Sequence, residues 1–231
     1  MSTSSGHLAA CGSEKAERDL RRYPLSSHFT GGKALHSNPD LIYFAGYADD
    51  LAVLLVNFPA SQPNLQVLGG DGLYEPSAYP SSAKPSFNHV HFTAFAYPDE
   101  WSILGMNEPP FFSEYRADFN PAGADHVGNP YGFTRANDAV MLSYDATRVL
   151  LQGCQNILTA QSTLTPTVLQ YGLTQITGAK ALQGMSGQIS FGSNRDPINK
   201  AIVILSIDPN GYIRILEPNG VQGCFILGRC G

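Results

Sequence analysis

Residues 41–58 read LIYFAGYADDLAVLLVNF, and residues 65–72 read LQVLGGDG. The first stretch opens with five apolar residues that do not alternate with polar ones, which is typical of a strand covered on both faces of a parallel sheet. Asp49 and Asp50 suit the first turn of a helix, and the apolar residues after them recur at helical spacing. The second stretch is another apolar run that ends in a glycine-rich loop. We therefore predict a strand, a helix and a second strand, the βαβ unit of an α/β fold.

Three side chains near the ends of these strands are candidate ligand-binding residues. Open α/β sheets bind ligands beyond the carboxyl ends of their strands. Tyr47 follows the first strand, Asp71 lies in the loop after the second, and Tyr74 comes three residues later. The residues alone leave other interpretations open: an Asp-Gly turn for Asp71 and a packed strand-end aromatic for Tyr47.

Four segments of the chain resemble the type I periplasmic binding proteins, the leucine/isoleucine/valine-binding group. The first two, around the predicted βαβ unit, resemble the second lobe of that family, and the third resembles its return helix in the first lobe. The fourth resembles a Gly-x-Ser/Thr-Gly segment near the hinge. The segments are Pro39 to Tyr47, Val67 to Tyr74, Tyr144 to Leu150, and Gly184 to Phe191 with Asp196-Pro197.

The resemblance implies an α/β fold of two Rossmann-like βαβ lobes, truncated at its N-terminus. It implies the following parts: an N-terminal segment, 1–27; the second lobe, with its ligand-facing loops, 28–94 and 200–218; a remnant of the first lobe, 95–199; and a C-terminal tail, 219–231.

The resemblance also implies a function and a site. An amino acid taken out of water needs an anion for its ammonium group and donors for its carboxylate. In family members an acidic residue in a Gly-x-acid-Gly loop holds the ammonium group, and Asp71 matches it, although Glu is familiar there. Tyr47 matches a tyrosine of the same interlobe cleft. The chain would thus be an extracytoplasmic solute-binding protein of an ABC transporter, with a small polar solute and a membrane permease as partners.

Two other classes of protein stay open. A chain that lacks half a lobe should expose apolar sheet surface, so it could be a sensor or interaction module, or a binding-incompetent fragment that forms a homodimer. The other class is an enzyme, for example a serine hydrolase that uses Ser186 as its nucleophile. The segment 184–187 lacks the glycine spacing of a Gly-x-Ser-x-Gly elbow, and no histidine follows it in the chain. We therefore expect no catalytic residue.

Composition excludes further classes. A net charge of −5 gives no electrostatic footprint for nucleic acid or anionic membrane. His89 and His91 form a His-x-His pair but have no third ligand at close spacing, so we expect no metal and no cofactor. Residues 8–11 read LAAC, like a lipoprotein cleavage box, but residues 1–7 carry neither the basic nor the apolar region of a signal peptide, so we expect none here.

The remaining elements follow from periodicity and turn residues. Residues 14–22 carry mixed charge, which predicts a helix or a solvated segment, and residues 76–85 predict a loop. Residues 87–97 predict a strand, and residues 111–119 predict a helix. Pro166 suits the first position of another helix. A hairpin is predicted around Asp208-Pro209-Asn210-Gly211.

The long helix predicted over residues 135–158 should cover a sheet with an apolar stripe. Asp138 and Asp145 on this helix suit capping or solvated roles, and Cys154 a buried position. Cys224 and Cys230 could close a disulfide loop. The stripe consists of Ala139, Leu142, Ala146, Val149 and Leu150.

Overall fold

The computed structural model describes residues 7–11, 23–24, 39–58, 61, 63–75, 79–119, 136–158, 163–216 and 221–227; for the strands at 7–11, 23–24 and 221–222 it describes the backbone only. The chain divides into two compact units. Unit 1 comprises residues 1–94 and 204–218, and unit 2 comprises residues 95–203 and 219–231. The assignment of these parts as lobes of a binding protein stays a prediction.

Unit 1 is built on a mixed sheet with a parallel centre. Its strand order is β2-β1-β3-β4-β5-β8, and β9 pairs with β8. The pairs β3–β4 and β4–β5 are parallel, whereas β1 pairs antiparallel with both β2 and β3. The strands are β1 His7–Cys11, β2 Tyr23–Pro24, β3 Leu41–Ala45, β4 Gln66–Gly69, β5 Val90–Ala94, β8 Ile202–Ile207 and β9 Ile213–Ile215.

Helical segments cover one face of this sheet. The predicted helix forms as α1, Ala48–Val56, and its Leu51, Leu54 and Leu55 are buried. The crossover from β4 to β5 contains a 3₁₀ helix, Ser81–His89, on the same side, because the Ser86 hydroxyl donates to the Leu55 carbonyl oxygen at 3.1 Å. A 3₁₀ helix thus replaces part of the predicted loop at 76–85.

The prediction that β3 is covered on both faces is wrong. Ile42 and Phe44 are fully buried, but Tyr43 is 50% exposed, and its neighbour Leu68 on β4 is 38% exposed. The reason is that α1 and the 3₁₀ helix contact each other and so lie on one face. Within the described ranges, no helix covers the opposite face at these two residues.

Most of the regular secondary structure described in unit 2 is helical. Its helices are α2 Glu100–Ile103, α3 Pro110–Phe119, α4 Asp138–Leu158 and α5 Pro166–Thr174. A hairpin of β6, Leu182–Gly184, and β7, Gly187–Ile189, forms a second sheet. The last strand, β10 Val221–Gln222, pairs with Ile202 and Val203 of β8, the two β8 residues that belong to unit 2.

The helix predictions in unit 2 are confirmed in position. Thr165 caps α5 because its hydroxyl oxygen accepts a hydrogen bond from the Val168 amide at 3.3 Å. Helices α4 and α5 approach closely at two glycines. A Cβ on Gly172 would clash with the Gly153 carbonyl oxygen, and the Asn156 side chain donates to the Gly172 carbonyl oxygen at 3.1 Å.

The predicted apolar stripe of α4 is wrong in phase. Leu150 is 48% exposed, and the buried face is instead formed by Asp138, Met141, Asp145, Val149, Gly153 and Ile157. Two carboxylates and a glycine occupy this inner face, which the apolar pattern could not show. Cys154 is a free thiol of intermediate exposure and is therefore not fully buried.

Several smaller predictions can be compared as well. The β8–β9 hairpin is confirmed, and the Asp208 carboxylate accepts hydrogen bonds from the Asn210 and Tyr212 amides at 2.9 Å.

The LAAC segment lies in β1, and residues 14–22 lie outside the described residues. Cys224 is disulfide-bonded, and its pairing with Cys230 stays a prediction because Cys230 lies outside the described residues. No helix in the described ranges is long and apolar enough to span a bilayer.

Candidate functional site

Tyr47 and Asp71 lie on loops that leave the same edge of the unit 1 sheet. The parallel register pairs Phe44 of β3 with Gly69 of β4, so the residues after each strand emerge side by side. Tyr47 is the N-cap residue of α1, and its side chain is 58% exposed. Asp71 begins a 3₁₀ helix, Asp71–Leu73, and is also exposed. The structure therefore brings these two predicted site residues to adjoining loops.

The two loops pack backbone against backbone at Gly72. A Cβ placed on Gly72 would stand 2.8 Å from the Gly46 carbonyl oxygen and 3.4 Å from Cδ1 of Tyr47. The first distance is too short for any side chain, so a residue other than glycine would push the loops apart. The glycine-rich sequence is what allows the β4 loop to lie against Tyr47.

Tyr79 fixes the 3₁₀ turn that carries Asp71. Its hydroxyl donates to the Leu73 carbonyl oxygen at 2.8 Å, and its ring meets the Phe87 ring edge to face at 6.0 Å between centroids. Burial raises the pKa of the Tyr79 phenol, and the carboxylates of Glu75 and Asp49 raise it further. The phenol therefore stays a neutral donor. Sequence reasoning missed Tyr79 because residues 76–85 read as a loop.

Tyr74, the third predicted site residue, lies beneath the loop rather than on it. The side chain is 3% exposed, and its ring centroid is 6.0 Å from that of Phe92 on β5. This placement supports the loop from the core. A direct role for Tyr74 in ligand binding stays a prediction.

His89 and His91 each use a ring nitrogen within unit 1. Nδ1 of His89 is hydrogen-bonded to the Leu65 carbonyl oxygen at 2.8 Å, and Nε2 of His91 lies 3.0 Å from the Gln66 side-chain oxygen. Burial lowers the pKa of His91, and nearby His89 lowers it further. Across the described residues, no group of three or more histidine, cysteine, aspartate or glutamate side chains could hold a metal ion.

Unit 2 contains a second, buried polar cluster centred on Asp145 of α4. Its carboxylate accepts hydrogen bonds from the amides of Met185 and Ser186, both at 2.8 Å, and from the Ser186 hydroxyl at 2.5 Å. These residues form the turn between β6 and β7. Asp145 is 3% exposed, so the predicted capping or solvated role is wrong: it holds a turn that lies 40 residues away along the chain.

Two further titratable groups complete this cluster. The Lys200 ammonium donates to the Ser186 hydroxyl oxygen at 2.7 Å and also to its backbone carbonyl oxygen. Burial lowers the pKa of Lys200 to about 8, although Asp145 and Glu100 act to raise it. Glu100 is fully buried, and this burial raises the pKa of its carboxyl to about 8. Neither residue was singled out from the sequence.

The geometry of this cluster bears on the serine-nucleophile alternative. Ser186 is 1% exposed, its hydroxyl proton is directed at Asp145, and Lys200 donates to its oxygen. A serine nucleophile needs a base that removes its proton and an open approach for substrate. The arrangement around Ser186 instead fixes a turn, which is a structural role.

Comparison with known proteins identifies the fold. No protein-family model and no curated protein sequence matches the chain. A leucine-binding protein, LivK, from Thermotoga maritima matches with a TM-score of 0.59 and 21% identity, over 83% of this chain and 48% of that protein. The branched-chain amino acid transporter substrate-binding protein LivJ from Streptococcus pneumoniae, in complex with isoleucine, gives 0.58 and 14%, over 84% and 50%.

A third solved structure agrees. A type 1 periplasmic binding protein from Bordetella pertussis has a TM-score of 0.58 and 16% identity, over 83% of this chain and 50% of that protein. The chain therefore spans about half the length of these structures. At such identities the likeness establishes the fold alone: the chain is an α/β protein with the fold of about half of a type I periplasmic binding protein.

Proposed function

We propose that this chain supplies the ligand-facing loops of a solute-binding protein that takes an amino acid or a similar small polar solute. Tyr47 and Asp71 are the residues that contact the solute in this proposal. The observation that carries it is the packing of the two loops at Gly72, which places an aromatic ring and a carboxylate on adjoining exposed loops.

The two side chains suit different parts of a zwitterionic ligand. The Asp71 carboxylate can accept charge-assisted hydrogen bonds from an ammonium group, which are about twice as strong as neutral ones. The Tyr47 ring offers an apolar surface and can also attract a cation through its face. Together they favour a small molecule with an ammonium group beside an apolar side chain.

The compared structures also support an amino acid as the solute. The Thermotoga protein is a leucine-binding protein, and the Streptococcus protein was solved with isoleucine. We therefore include an extracytoplasmic location and a membrane permease of an ABC transporter in the proposal. The chain would bind and release its solute without chemistry, in keeping with compared structures that are binding proteins.

The test is a binding measurement with a matched pair of ligands. The folded chain is titrated calorimetrically with L-leucine, L-isoleucine and small amides, and separately with 4-methylpentanoate, the leucine analogue that lacks the ammonium group. A ligand that binds only the folded state also raises the unfolding temperature, which gives a second readout. We expect leucine-like amino acids to bind and the analogue to bind at least about 10-fold more weakly.

Two substitutions test whether Asp71 binds the solute. Asp71→Asn should weaken amino acid binding by at least about 10-fold, because it removes the negative charge and keeps the shape. Asp40→Asn is the matched control, since Asp40 is an exposed carboxylate just before the opposite, amino end of β3. Binding that both variants retain would refute the role of Asp71. A cooperatively folded chain that binds no solute would instead favour the interaction module.

A further inference from the structure

One face of α4 exposes large apolar side chains. Leu151 is 65% exposed, Leu158 62%, Leu150 48% and Tyr144 40%. We refer to these four residues as the α4 apolar face. Single exposed apolar residues are ordinary, but four on one helix form a patch of the kind that marks contact surfaces.

The four residues lie on the side of α4 opposite its buried face. At 100° per residue, they span an arc of about 120°, while the buried side chains Asp145 and Val149 lie across the helix and the buried Ile157 adjoins Leu150. Cys154, a free thiol of intermediate exposure, lies within the arc of the α4 apolar face. The face therefore presents large apolar side chains and a thiol, with the small polar residues Ser143 and Thr147 in the same arc.

The part of this surface from Leu150 to Leu158 is also free of charge. Residues 149–179, which include the last ten residues of α4 and all of α5, contain no aspartate, glutamate, lysine, arginine or histidine, although the whole chain carries a net charge of −5. Arg148 lies at the edge of the face, and its guanidinium donates to the Gln183 carbonyl oxygen at 2.9 Å. Two copies of a negatively charged chain meet with least repulsion where neither carries charge.

The spacing along the helix is self-complementary. Leu151 lies seven residues after Tyr144 and seven before Leu158. If two α4 helices run antiparallel with Leu151 at a two-fold axis, Tyr144 of each copy meets Leu158 of the other. An isologous interface requires this kind of reciprocal contact.

We propose that the α4 apolar face is the interface of a homodimer, in which the α4 helices of two copies pack antiparallel about a two-fold axis at Leu151. The contact joins apolar side chains at its centre, and the polar uncharged Thr147 and Gln155 of opposite copies meet beside it. Charge depletion with aromatic and apolar side chains is typical of an interface core. The inference does not depend on the proposed solute binding, because α4 belongs to unit 2 and the solute-binding loops to unit 1.

The experiment is sedimentation equilibrium of the full 231-residue chain over a range of concentrations, compared with two variants. Leu151→Glu places two carboxylates at the axis and should weaken dimerisation by at least about 100-fold. Val53→Glu is the matched control, because Val53 is a 52% exposed apolar residue on α1 of unit 1. The control should dimerise like the unaltered chain.

A second measurement needs no substitution. In the proposed dimer the two Cys154 residues are offset by about 9 Å along the helix axes, which a short bismaleimide can bridge. We expect a covalent dimer joined through Cys154 in both copies, identified by mass spectrometry of the linked peptides. A chain that stays monomeric at every concentration would overturn the proposal. So would a dimer that Leu151→Glu leaves intact, or one whose cross-links omit Cys154.

Discussion

Replacing Asp145 with asparagine tests the buried cluster of unit 2 most directly. The carboxylate accepts three hydrogen bonds from Met185 and Ser186. Hydrogen bonds to a charged group contribute about 1.5–3 kcal/mol each. Asparagine keeps the size and one carbonyl oxygen, but it turns an NH₂ donor toward other donors. Because the site is 3% exposed, water cannot compensate, and we expect the free energy of unfolding to fall by about 3 kcal/mol.

The protein contains a natural reporter of this change. Trp101 is the only tryptophan of the chain, and its indole nitrogen donates to the Met185 carbonyl oxygen at 3.1 Å. Tryptophan fluorescence during urea denaturation therefore follows unit 2 at the turn itself. With a denaturant slope of about 1.5 kcal/mol/M, the expected loss lowers the urea midpoint by about 2 M.

Asp118→Asn is the control, since Asp118 is an exposed carboxylate on α3 of the same unit. Its free energy of unfolding should change by no more than about 0.5 kcal/mol. If Asp145→Asn changed stability no more than this control, the carboxylate would not hold the turn. Combining Asp145→Asn with Ser186→Ala should give less than the sum of the two effects, because the two residues share a hydrogen bond.

Three further substitutions test the other contacts. Gly72→Ala sets a methyl group 2.8 Å from the Gly46 carbonyl oxygen, so it should lower the unfolding free energy by about 1–3 kcal/mol and weaken any amino acid binding, as calorimetry would show. Tyr79→Phe removes one buried hydrogen bond and should cost about 1 kcal/mol in urea denaturation; an unchanged midpoint would contradict this. Burial raises the pKa of Glu100 from 4.5 to about 8, so the folded state binds the extra proton and stability should fall as pH rises between these values. Burial also lowers the pKa of Lys200 from 10.5 to about 8, so stability should rise again above pH 8, and Glu100→Gln should abolish only the fall.

The sequence predicted well those elements whose signals are local. The apolar run at 41–45, the helix after it and the hairpin at Asp208 all formed near the expected positions, because periodicity and turn chemistry act within a few residues. The adjoining loops with Tyr47 and Asp71 were predictable for the same reason: parallel pairing of β3 and β4 fixes where both loops emerge.

Contacts between distant segments could not be predicted in this way. Asp145 looked like a surface carboxylate, and only the fold shows that it meets Ser186 and Lys200. The inner face of α4 carries Asp138 and Asp145 as well as apolar side chains. The apolar pattern therefore gave the wrong position for the buried stripe, and Leu150 is exposed. An apolar pattern locates a buried face only where the groups that fill it are apolar.

Unit 1 is formed by two separate stretches of the chain, and the distance between them matters during synthesis. Strand β8 lies beside β5 in the sheet, yet all of residues 95–201 are made between them. At about 5–20 residues per second, the ribosome takes on the order of ten seconds to add this insertion. Throughout that interval β5 of the nascent chain has no β8 beside it, so the backbone groups of this edge are unpaired and open to other strands. Slower translation would lengthen this exposure, and a chaperone that shields strand edges would act in this interval.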